Sequence, residues 1–537
     1  MASQRLFLPL LQRLPFGLGS FTRYNVLGWL FNDKYRMHVD FGDAWVHVSP
    51  GENALYVANA EAVEEIFLRR KDFPKPSHMY KMLEIFGRNI NTIEGQEWQR
   101  HRKITGPAFN ERNNHLVWAE AMRQARGMLG WWTRKDQNGI STTDKDTRIL
   151  SLHVLTCAGF GMSYSFRSAM DAPQAGFTMT YRDALALILE HALIVIAFPH
   201  KVLSLPFVPA KWKAVGRATR EFRAYMANML EKEKNLISRR ASGADNLMSA
   251  LVRGSEEARQ AQQKDNSSSK SGTGSQHESQ GLTDQEIIGN VFLYNFAGHE
   301  TTGNILAYCI LLLAAYPQWQ EWISEEIQHV VKDGPKTETW DYHQSFPRLK
   351  RCLAILLESL RLFSPVCAIP KYTANQQQTL KINDEVHVIP PKTMVFPNAF
   401  ALHTHPRYWG DDSLTWRPSR WIVAPSSSAS SRPSSNGSEQ NAPSMEEETI
   451  FEPRRGTYIP WSEGERICPG KKFAQVEFVA TIAVLFRSHR VRPIRRSGET
   501  QAEAAQRVLD VVEDSDVGLT LQMQHPSQVS VEWIEKE

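Results

Sequence analysis

The stretch between Leu282 and Pro317 limits the fold more than any other part of the sequence. It begins LTDQEI, where Thr283 and Glu286 have the spacing of a capping box at a helix N-terminus. Proline cannot continue a helix, so Pro317 predicts where the segment ends. A helix over residues 283–316 would be roughly 50 Å long, which is enough to cross the whole molecule.

Most of the remaining pattern is also helical. Residues 347–363 predict a further helix, which the dipeptide Ser364-Pro365 closes. Short alternating runs rich in β-branched and aromatic residues predict strands at 44–48, 53–59 and 392–398. We therefore expect a mainly α fold with a small β region.

Composition excludes several classes of protein. The chain has 537 residues, of which 42% are hydrophobic and 22% are charged, as in ordinary globular proteins with a large core. A formal net charge of +4 gives no indication of nucleic-acid binding. The 5 cysteines are widely spaced and form no CxxC pair, so neither a disulfide framework nor a zinc ribbon is expected. We expect a reducing, intracellular environment.

The N-terminal region 1–35 is apolar and aromatic, but prolines, glutamine and arginines interrupt it. Its longest run without a polar residue, Leu6–Leu11, is far shorter than the ~20 residues that a membrane span needs. We expect this region to associate with a membrane interface, with its aromatic side chains buried there. The alternative is an N-terminus packed against the core. We expect no cleavable signal peptide.

Two stretches of low complexity lie at 254–281 and 424–448. Both lack aromatic residues and have too little apolar surface to become ordered on their own. They predict disordered inserts at the surface of the protein.

The loop PWSEGERICPGKKFAQVE contains Cys468 between two glycines. Pro469 suits the first position of the helix that follows, so the thiol would lie at a helix N-terminus, where its pKa is lowered. Gly464 and Gly470 would let the backbone approach a flat or bulky group, and Arg466 offers a fork for a carboxylate. The loop thus predicts a site for a thiolate beside something large and acidic.

Two other interpretations of this loop are weaker. A phosphate-binding P-loop requires four residues between its first glycine and its Gly-Lys pair, followed by serine or threonine. Here five residues separate Gly464 from Gly470, and Lys471 is followed by Lys472. A cysteine hydrolase would need a partner histidine, for which the sequence gives no local signature, and it would leave the glycines without a purpose.

The loop resembles the haem-binding pattern of the cytochrome P450 family, Phe-x-x-Gly-x-Arg-x-Cys-x-Gly. Trp461, Gly464, Arg466, Cys468 and Gly470 occupy its positions, with tryptophan where phenylalanine is usual. The resemblance implies haem b as the cofactor and Cys468 as the proximal iron ligand, whose thiolate favours O–O cleavage. It also implies the fold of that family, in which a long central helix lies over the haem.

The predicted central helix contains AGHETT, which resembles the family's Ala/Gly-Gly-x-Asp/Glu-Thr-Thr/Ser motif. Gly298 would leave space for a small ligand against the helix. The resemblance implies that Glu300 and Thr301 form an acid–alcohol pair that relays protons. On its own, the same stretch would indicate no more than a helix kink.

Glu358 and Arg361 in ESLR share one face of a helix whose surroundings are apolar, so the pair is expected to be buried. The segment WRPSRW resembles the family's Phe-x-Pro-x-Arg-Phe/Trp motif. The resemblance implies that Arg420 joins the pair in one buried network, which is structural rather than catalytic.

Trp98 and Arg102 in WQRHR are four residues apart and share a helix face. The family uses such a Trp-x-x-x-Arg motif to bind haem propionates, although alone it would indicate an amphipathic basic helix. Lys371 lies where many members carry a propionate-binding arginine. Because the motifs from Trp98 to Gly470 follow the family order and enclose both inserts, we expect residues 36–537 to form a single domain.

The resemblance implies monooxygenation, in which one oxygen atom of O₂ enters a C–H or C=C bond. No GxGxxG and no flavin segment is found, so electrons must come from a separate, NADPH-dependent reductase. Its basic docking face would comprise Lys350, Arg351, Arg454, Arg455, Lys471 and Lys472.

The substrate pocket is expected to be apolar and its substrate lipophilic. Its walls would come from residues 78–90, 180–210, 294–296, 366–369 and 518–521. The serine-rich inserts favour a fungal enzyme of secondary metabolism, associated with the endoplasmic reticulum membrane. The alternatives are a family member that rearranges or dehydrates its substrate without O₂, and a non-catalytic haem-binding protein; the Glu300–Thr301 pair argues against both.

Overall fold

The computed structural model describes residues 23–24, 28–49, 51–134, 139–167, 173–239, 246–268, 280–331, 340–423 and 445–536. Helices of nine residues or more within these ranges are α1 (Ala60–Leu68), α2 (Gly95–Thr105), α3 (Glu111–Trp132), α4 (Thr143–Phe160), α5 (Tyr181–Glu190), α6 (Ala210–Ser238), α7 (Leu247–Ser268), α8 (Asp284–Ala315), α9 (Pro317–Val330), α10 (Lys350–Leu362), α11 (Lys471–Ser488) and α12 (Gln501–Glu513). Shorter helices lie at Trp29–Asp33, Arg36–Asp40, Ser77–Tyr80, Ala192–Ala197, His200–Leu203, Tyr342–Ser345, Ala399–Thr404 and Pro406–Trp409.

The strands form small sheets at the margin of the helices. They are β1 (Ala44–Val48), β2 (Asn53–Val57), β3 (Lys371–Tyr372), β4 (Gln378–Ile382), β5 (Glu385–Ile389), β6 (Thr393–Pro397), β7 (Ile422–Val423), β8 (Thr449–Ile450), β9 (His489–Pro493), β10 (Ser515–Val517), β11 (Leu521–Met523) and β12 (Val531–Glu535). The four-stranded sheet has the order β1-β2-β6-β3, in which β2 and β6 are parallel and the other neighbours antiparallel. The predicted strands at 44–48, 53–59 and 392–398 are therefore found, to within two residues at each end.

The predicted long helix is confirmed as α8. Thr283 caps it, and the side chain of Glu286 returns the hydrogen bond to the backbone of Thr283, so the capping box is complete. Pro317 stands at the first position of α9, where its missing N–H costs no hydrogen bond. α8 packs along α4 and α12, and most of its residues are buried on every face. It thus has the position of a central element.

The largest apolar cluster gathers side chains from α3, α8, α10 and α11, and it extends from Tyr24 to Trp533. A second cluster joins α5, α6 and the N-terminal half of α8. Long helices thus form the core, while the sheets lie beside it. The mainly α class with a small β region is confirmed.

The first predicted insert does not begin at residue 254. Residues 254–268 continue α7, because tertiary contacts compensate for their polar composition. The hydroxyl of Ser255 donates to the carbonyl of Leu282 at 2.9 Å and accepts from its N–H at 2.7 Å, which fixes α7 to the start of α8. The remainder of that insert, 269–279, and most of the second, 424–444, lie outside the described residues.

The ends of the other predicted segments also differ from the structure. Residues 445–448, predicted to close the second insert, are ordered, and Glu448 binds Arg351 at 2.6 Å. In the N-terminal region 1–35, the helix Trp29–Asp33 is packed into the core, where Phe31 is buried against other aromatic rings. Residues 28–35 therefore belong to the folded body, whereas 1–22 and 25–27 lie outside the described residues. Among the helices described, none combines the length and the hydropathy that crossing a bilayer requires.

Candidate functional site

The loop before α11 holds Cys468 by backbone hydrogen bonds. The N–H of Cys468 donates to the carbonyl of Trp461 at 2.9 Å, and the N–H of Lys471 donates to the carbonyl of Cys468 at 3.3 Å. The prediction that Pro469 opens the helix is wrong, because α11 begins at Lys471 and Gly470 is its N-cap. The thiol therefore lies two residues before the helix cap, on a loop folded back on itself.

The thiol of Cys468 lies deep in the protein and is nevertheless accessible. Burial raises the pKa of the Cys468 thiol, while the N–H of Gly470 and the charges of Arg102 and Lys471 act in the opposite direction. The Cys468 side chain is exposed, in contrast to the buried side chains of Cys309 and Cys352. A thiol surrounded by protein yet open to a water-sized molecule faces an internal space. A bound cation there would stabilise the thiolate.

Glycine is present at positions 464 and 470 of the loop for different physical reasons. Gly464 has φ +70°, and a Cβ there would lie 3.0 Å from the carbonyl oxygen of Phe67 on α1. Its conformation and the approach of α1 therefore require glycine, which corrects the prediction that it accommodates a flat group. At Gly470 a Cβ would meet only the sulfur of Cys468, at 3.8 Å. Of the two, only Gly470 remains compatible with the close approach of a cofactor.

The middle of α8 is less buried than either end. Residues 286–295 and 302–315 are buried, whereas 296–301 are accessible and Ala297 is exposed. A helix inside the core can be accessible at its centre only where it borders an internal space. Tyr294, at the buried edge of this stretch, lies close enough to Arg102 and Cys468 for both charges to act on its pKa, which burial raises.

Within this accessible stretch, the hydroxyl of Thr301 donates to the carbonyl of Ala297 at 2.8 Å. Such a bond to the preceding turn keeps the oxygen beside the helix axis. Glu300 and Thr301 are consecutive on the helix and do not face each other. Among the described side chains no hydrogen bond joins the two, so a proton relay between them would have to pass through water.

Gly298 does not face the internal space as predicted. A Cβ at this position would lie 3.1 Å from the methyl groups of Leu155 on α4. Glycine therefore allows α4 to pack closely against α8, and it leaves no room for a ligand. Ala297, which belongs to the same motif, is exposed and faces the space instead.

A cluster of cations surrounds Trp98 at the start of α2. The guanidinium carbons of Arg70 and Arg466 lie 4.7 and 4.6 Å from the centre of its ring. Glu94 binds both guanidinium groups, at 3.1 Å from Arg70 and 2.7 Å from Arg466. Lys371 is buried nearby, and burial together with the charge of Arg466 lowers its pKa to about 8.

These residues fit the carboxylates of a haem. Nε of Arg466 is buried and has no hydrogen-bond partner among the described residues. The cations of this cluster outnumber its acids, because Glu94 is shared by Arg70 and Arg466 and Glu465, the other acid that binds Arg70, is mostly exposed. A desolvated cation is stable only when it is paired, so the cluster favours a bound anion with more than one carboxylate. The structure thus brings together Trp98, Lys371 and Arg466, with Arg102 close to Cys468.

Glu358 is the centre of a fully buried network. Its carboxylate accepts from Arg361 at 2.8 and 2.9 Å and from Arg420 at 2.9 Å. The backbone of Arg417 and the indole of Trp421 donate to it as well. Burial alone would raise the pKa of Glu358, but the two arginines hold it below its ordinary value. The predicted trio therefore meets within the described structure.

Hydrogen bonds tie the predicted pocket segment 518–521 to α8 and to Pro365, the residue before the predicted segment 366–369. Asn304 on α8 donates to the hydroxyl of Thr520 at 3.0 Å and to the carbonyl of Leu521 at 3.1 Å. The N–H of Leu521 donates in turn to the carbonyl of Pro365 at 2.9 Å. Exposed apolar side chains beside these bonds are Val366 and Leu519. Tyr294, by contrast, is buried against Phe109, so its predicted place in the pocket wall is wrong.

Part of the predicted basic docking face is occupied by internal ion pairs. Arg351 is nearly buried and binds Glu448, so it does not belong to an exposed surface. Lys350 donates to the carbonyl of Glu446 at 3.0 Å, and Arg454 and Arg455 pair with acids of α1. Lys471 and Lys472 remain beside the thiol loop, over the rings of Trp461 and Phe346.

Comparison with known proteins gives one consistent result. A family model described as Cytochrome P450 matches residues 18–512. A cytochrome P450 monooxygenase of Arthrobotrys oligospora is 31% identical over 515 residues, which cover 94% of this chain and 86% of the relative. A cytochrome P450 monooxygenase of the phomenoic acid biosynthesis cluster of Leptosphaeria maculans is 30% identical and covers 90% of this chain and 79% of its own length. The 7-deoxyloganic acid hydroxylase of Catharanthus roseus is 25% identical over an alignment that covers 82% of this chain and 75% of the relative.

Proposed function

Because the chain belongs to the cytochrome P450 family and is a monooxygenase, we propose that it inserts one oxygen atom of O₂ into a lipophilic organic substrate, with haem b bound through Cys468. The observation that carries this proposal is the accessible thiol beside a surplus of buried cations and the open middle of α8. These three features match the iron, the carboxylates and the reacting face of one flat cofactor.

The residues that would hold the haem divide into two groups. Cys468 would bind the iron as a thiolate, and its backbone bond to Trp461 fixes the direction of the sulfur. The cations Arg102, Lys371 and Arg466, with Trp98, would bind the propionates. When bound, the haem supplies the activation of O₂, and its thiolate ligand favours O–O cleavage.

Thr301 and Glu300 would transfer protons on the side of the site that α8 forms. The oxygen Oγ1 of Thr301 holds a proton that it now donates to Ala297. We assign to it the delivery of protons into the space beside the iron, with the carboxylate of Glu300 recharging it through water. Ala297, which is small and exposed, leaves this space open to O₂ and substrate.

The lipophilic nature of the substrate is supported by the side chains around the site. Outside the segment 180–210, the exposed apolar residues in the predicted pocket segments are Met79, Met82, Val366 and Leu519. Large exposed apolar side chains are costly in water, and they are expected where an apolar ligand is bound. The relative from a phomenoic acid biosynthesis cluster supports a place in secondary metabolism.

Electrons would come from a separate NADPH-dependent reductase that docks beside the thiol loop. Lys471 and Lys472 lie next to Cys468 in sequence and present the cations for that contact. Because Arg351, Arg454 and Arg455 form ion pairs and Lys350 donates to a backbone carbonyl, this docking surface is smaller than the sequence implies.

Association with the endoplasmic reticulum membrane is proposed through an apolar surface between α5 and α6. Its exposed side chains are Leu193, Phe198, Val202, Leu205 and Phe207. The short helix Ala192–Ala197, which carries the first of them, packs against residues 81–83 in the segment that precedes α2. A surface of this kind is suited to lie in the interface of a bilayer.

An oxygen-incorporation assay tests the proposed function. Lipophilic compounds are screened for a change in the haem spin state, and those that bind are incubated with a reductase, NADPH and ¹⁸O₂. We expect product that contains one ¹⁸O atom per molecule, formed only when electrons are supplied. Product formed without O₂ would support the rearrangement alternative, and binding without any product would support a non-catalytic haem protein.

A further inference from the structure

We propose that Arg148 on α4 and Asn304 on α8 are positioning residues, which hold the turn between β10 and β11 against α8 and thereby set the shape of the substrate space. This turn comprises residues 518–520, and Leu519 is exposed on it. The inference deepens the proposed function and rests on it, because that function assigns the turn to the wall beside the substrate. Neither residue belongs to a motif of the sequence.

Asn304 uses both ends of its amide. Its side chain is buried, and Nδ2 donates to the hydroxyl of Thr520 at 3.0 Å and to the carbonyl of Leu521 at 3.1 Å. At the other end, Oδ1 accepts from Nε of Arg148 at 2.8 Å. A guanidinium group can only donate hydrogen bonds, so Arg148 determines that Oδ1 faces α4 and that Nδ2 faces the turn. Without Arg148 this orientation of the amide is no longer enforced.

Arg148 also binds the strand that follows the turn. Its second nitrogen, Nη2, donates to Oε1 of Gln522 on β11 at 3.0 Å. Among the described residues no acid forms a salt bridge with Arg148, so these charge-assisted bonds go to two neutral amide oxygens. One side chain of α4 thus joins α8 to β11. We call Arg148, Asn304 and Gln522 the amide clamp.

A glycine allows the amide clamp to form. A Cβ at Gly303 would lie 2.8 Å from Cγ and 2.9 Å from Cα of Arg148. Any larger residue would push α4 away from α8 at this level. Gly303 therefore brings the backbone of α4 close enough for the side chain of Arg148 to reach Asn304.

The amide clamp lies beside the accessible middle of α8. Asn304 follows Thr301 by about one helical turn. Burial, together with the charge of Arg148, lowers the pKa of His299 to about 3, so Arg148 is close to the accessible stretch and the imidazole there is neutral. The clamp is therefore near the part of α8 to which we assign proton delivery.

The turn carries apolar wall residues with it. Leu519 is exposed at the turn, and the N–H of Leu521 donates to the carbonyl of Pro365, which precedes the exposed Val366. A displacement of the turn would move Leu519 directly and would loosen the hold on the segment of Val366. We therefore assign to the amide clamp the control of how closely this wall approaches the substrate.

The test measures the binding of two probes, imidazole and phenylimidazole, to the ferric holoprotein by the change in its haem absorption spectrum. Imidazole needs only the iron, whereas the ring of phenylimidazole also contacts the wall. Arg148→Met and Asn304→Leu should each weaken the binding of phenylimidazole about fivefold, as for one lost hydrogen bond, and leave imidazole binding unchanged. Lys145→Met, at an exposed position of α4, is the matched control and should bind both probes as the unmodified protein does.

A double variant shows whether the two residues act as one unit. Because Arg148 acts through the amide of Asn304, Arg148→Met combined with Asn304→Leu should weaken phenylimidazole binding no more than the stronger single variant does. Arg148→Lys keeps a donor for Oδ1 of Asn304 and should retain most of the binding. In haem-free protein, hydrogen exchange at the N–H of Leu521 should be faster in both single variants than in Lys145→Met.

The results separate this inference from the proposed function. Equal weakening of both probes would overturn it, because the change would then affect the haem and not the wall. Unchanged probe binding, unchanged exchange at Leu521, or effects that multiply in the double variant would overturn it as well. If either single variant does not fold, Gln522→Leu removes the other bond of Arg148 and answers the same question. Failure of the proposed function would instead appear in the unmodified protein, as no spectral response to imidazole or no product containing ¹⁸O.

Discussion

The hydroxyl of Thr301 makes a hydrogen bond within α8 and is also accessible to a bound molecule. Its proton is donated to the carbonyl of Ala297, one turn earlier, and both residues lie in the accessible part of α8. Thr302, the next residue, is buried. Only the first of the two threonines can therefore exchange its hydrogen bond for one to a molecule in the internal space.

Replacing Thr301 with alanine should separate electron flow from product formation. With its hydroxyl gone, proton delivery is less controlled, and we expect product per electron to fall about tenfold or more, with the electrons appearing as hydrogen peroxide. Haem content should stay normal. The measurement is the ratio of product and peroxide to NADPH consumed. Thr301→Ser, which keeps the hydroxyl, is the control, and unchanged coupling in Thr301→Ala would remove the residue from the proton path.

Local sequence patterns predicted which residues belong to the candidate site better than they predicted why glycine is required at a given position. Cys468 could be assigned from sequence because glycines, an arginine and the following helix are all close to it in the chain. Gly298 and Gly464 were assigned to ligand contacts, but each is glycine because a distant helix packs on it. Ala297 carried no signal, since one alanine is unremarkable until the fold shows that it is exposed in the middle of a buried helix.

At the scale of elements, helix ends were predictable where their caps are local. The capping box of α8 and the proline that begins α9 lie within a few residues of the ends they define. The start of α10 was misplaced, because its first amides are capped from a distance: Glu326 on α9 accepts from Arg351 and Cys352 at 2.6 and 3.0 Å. α7 extends past residue 254, where the first disordered insert was predicted to begin, for the same kind of reason.

The helix that follows the thiol loop carries a buried acid. Neither carboxylate oxygen of Glu477 has a hydrogen-bond partner among the described residues. Burial raises the pKa of Glu477 to about 8, and Ser151 on α4 acts weakly in the opposite direction. α11 therefore meets α4 across a carboxyl group that is neutral in the folded protein at neutral pH.

This acid predicts how stability depends on pH. In the folded protein the pKa of Glu477 is raised from 4.5 to about 8. The contribution of its protonated carboxyl group to the free energy of unfolding is therefore complete below about pH 4.5 and is lost as the pH rises through 8. Above pH 8 the total loss of stability is on the order of 3 to 5 kcal/mol. Glu477→Gln should remove this dependence, so that its apparent Tm, relative to the unmodified protein, rises between pH 5 and pH 8. Glu52→Gln, at an exposed acid, should not. A relative Tm that is flat for both would show that Glu477 is ionised or solvated.

At the scale of the molecule, the family order of motifs was the strongest signal in the sequence. The Glu358 network unites α10 with a distant segment, because Arg420 and Trp421, 62 and 63 residues further along the chain, both donate to the Glu358 carboxylate. The largest apolar cluster likewise joins Tyr24 to Trp533 across the whole length of the described chain. That residues 36–537 form one haem-binding domain stays a prediction, as does the membrane association of residues 1–35, of which 28–35 belong to the folded body.

What the sequence could not provide is the internal space itself. The accessible thiol of Cys468 and the accessible middle of α8 indicate it, together with the cation cluster around Trp98, and these features are far apart in the chain. Hydrogen bonds such as those from Asn304 to residues 520 and 521 likewise join distant segments. Such contacts depend on the packing of whole helices, so no local pattern predicts them.

The central claim is that the sulfur of Cys468 binds the iron of a haem. The most direct measurement is the absorption spectrum of the reduced carbon monoxide complex, recorded for the purified protein after haem supplementation. We predict the band of a thiolate-ligated haem in the unmodified protein and in Cys367→Ala, and its complete loss in Cys468→Ala. A Cys468→Ala variant that keeps this band, or an unmodified protein that never acquires it, would contradict the account.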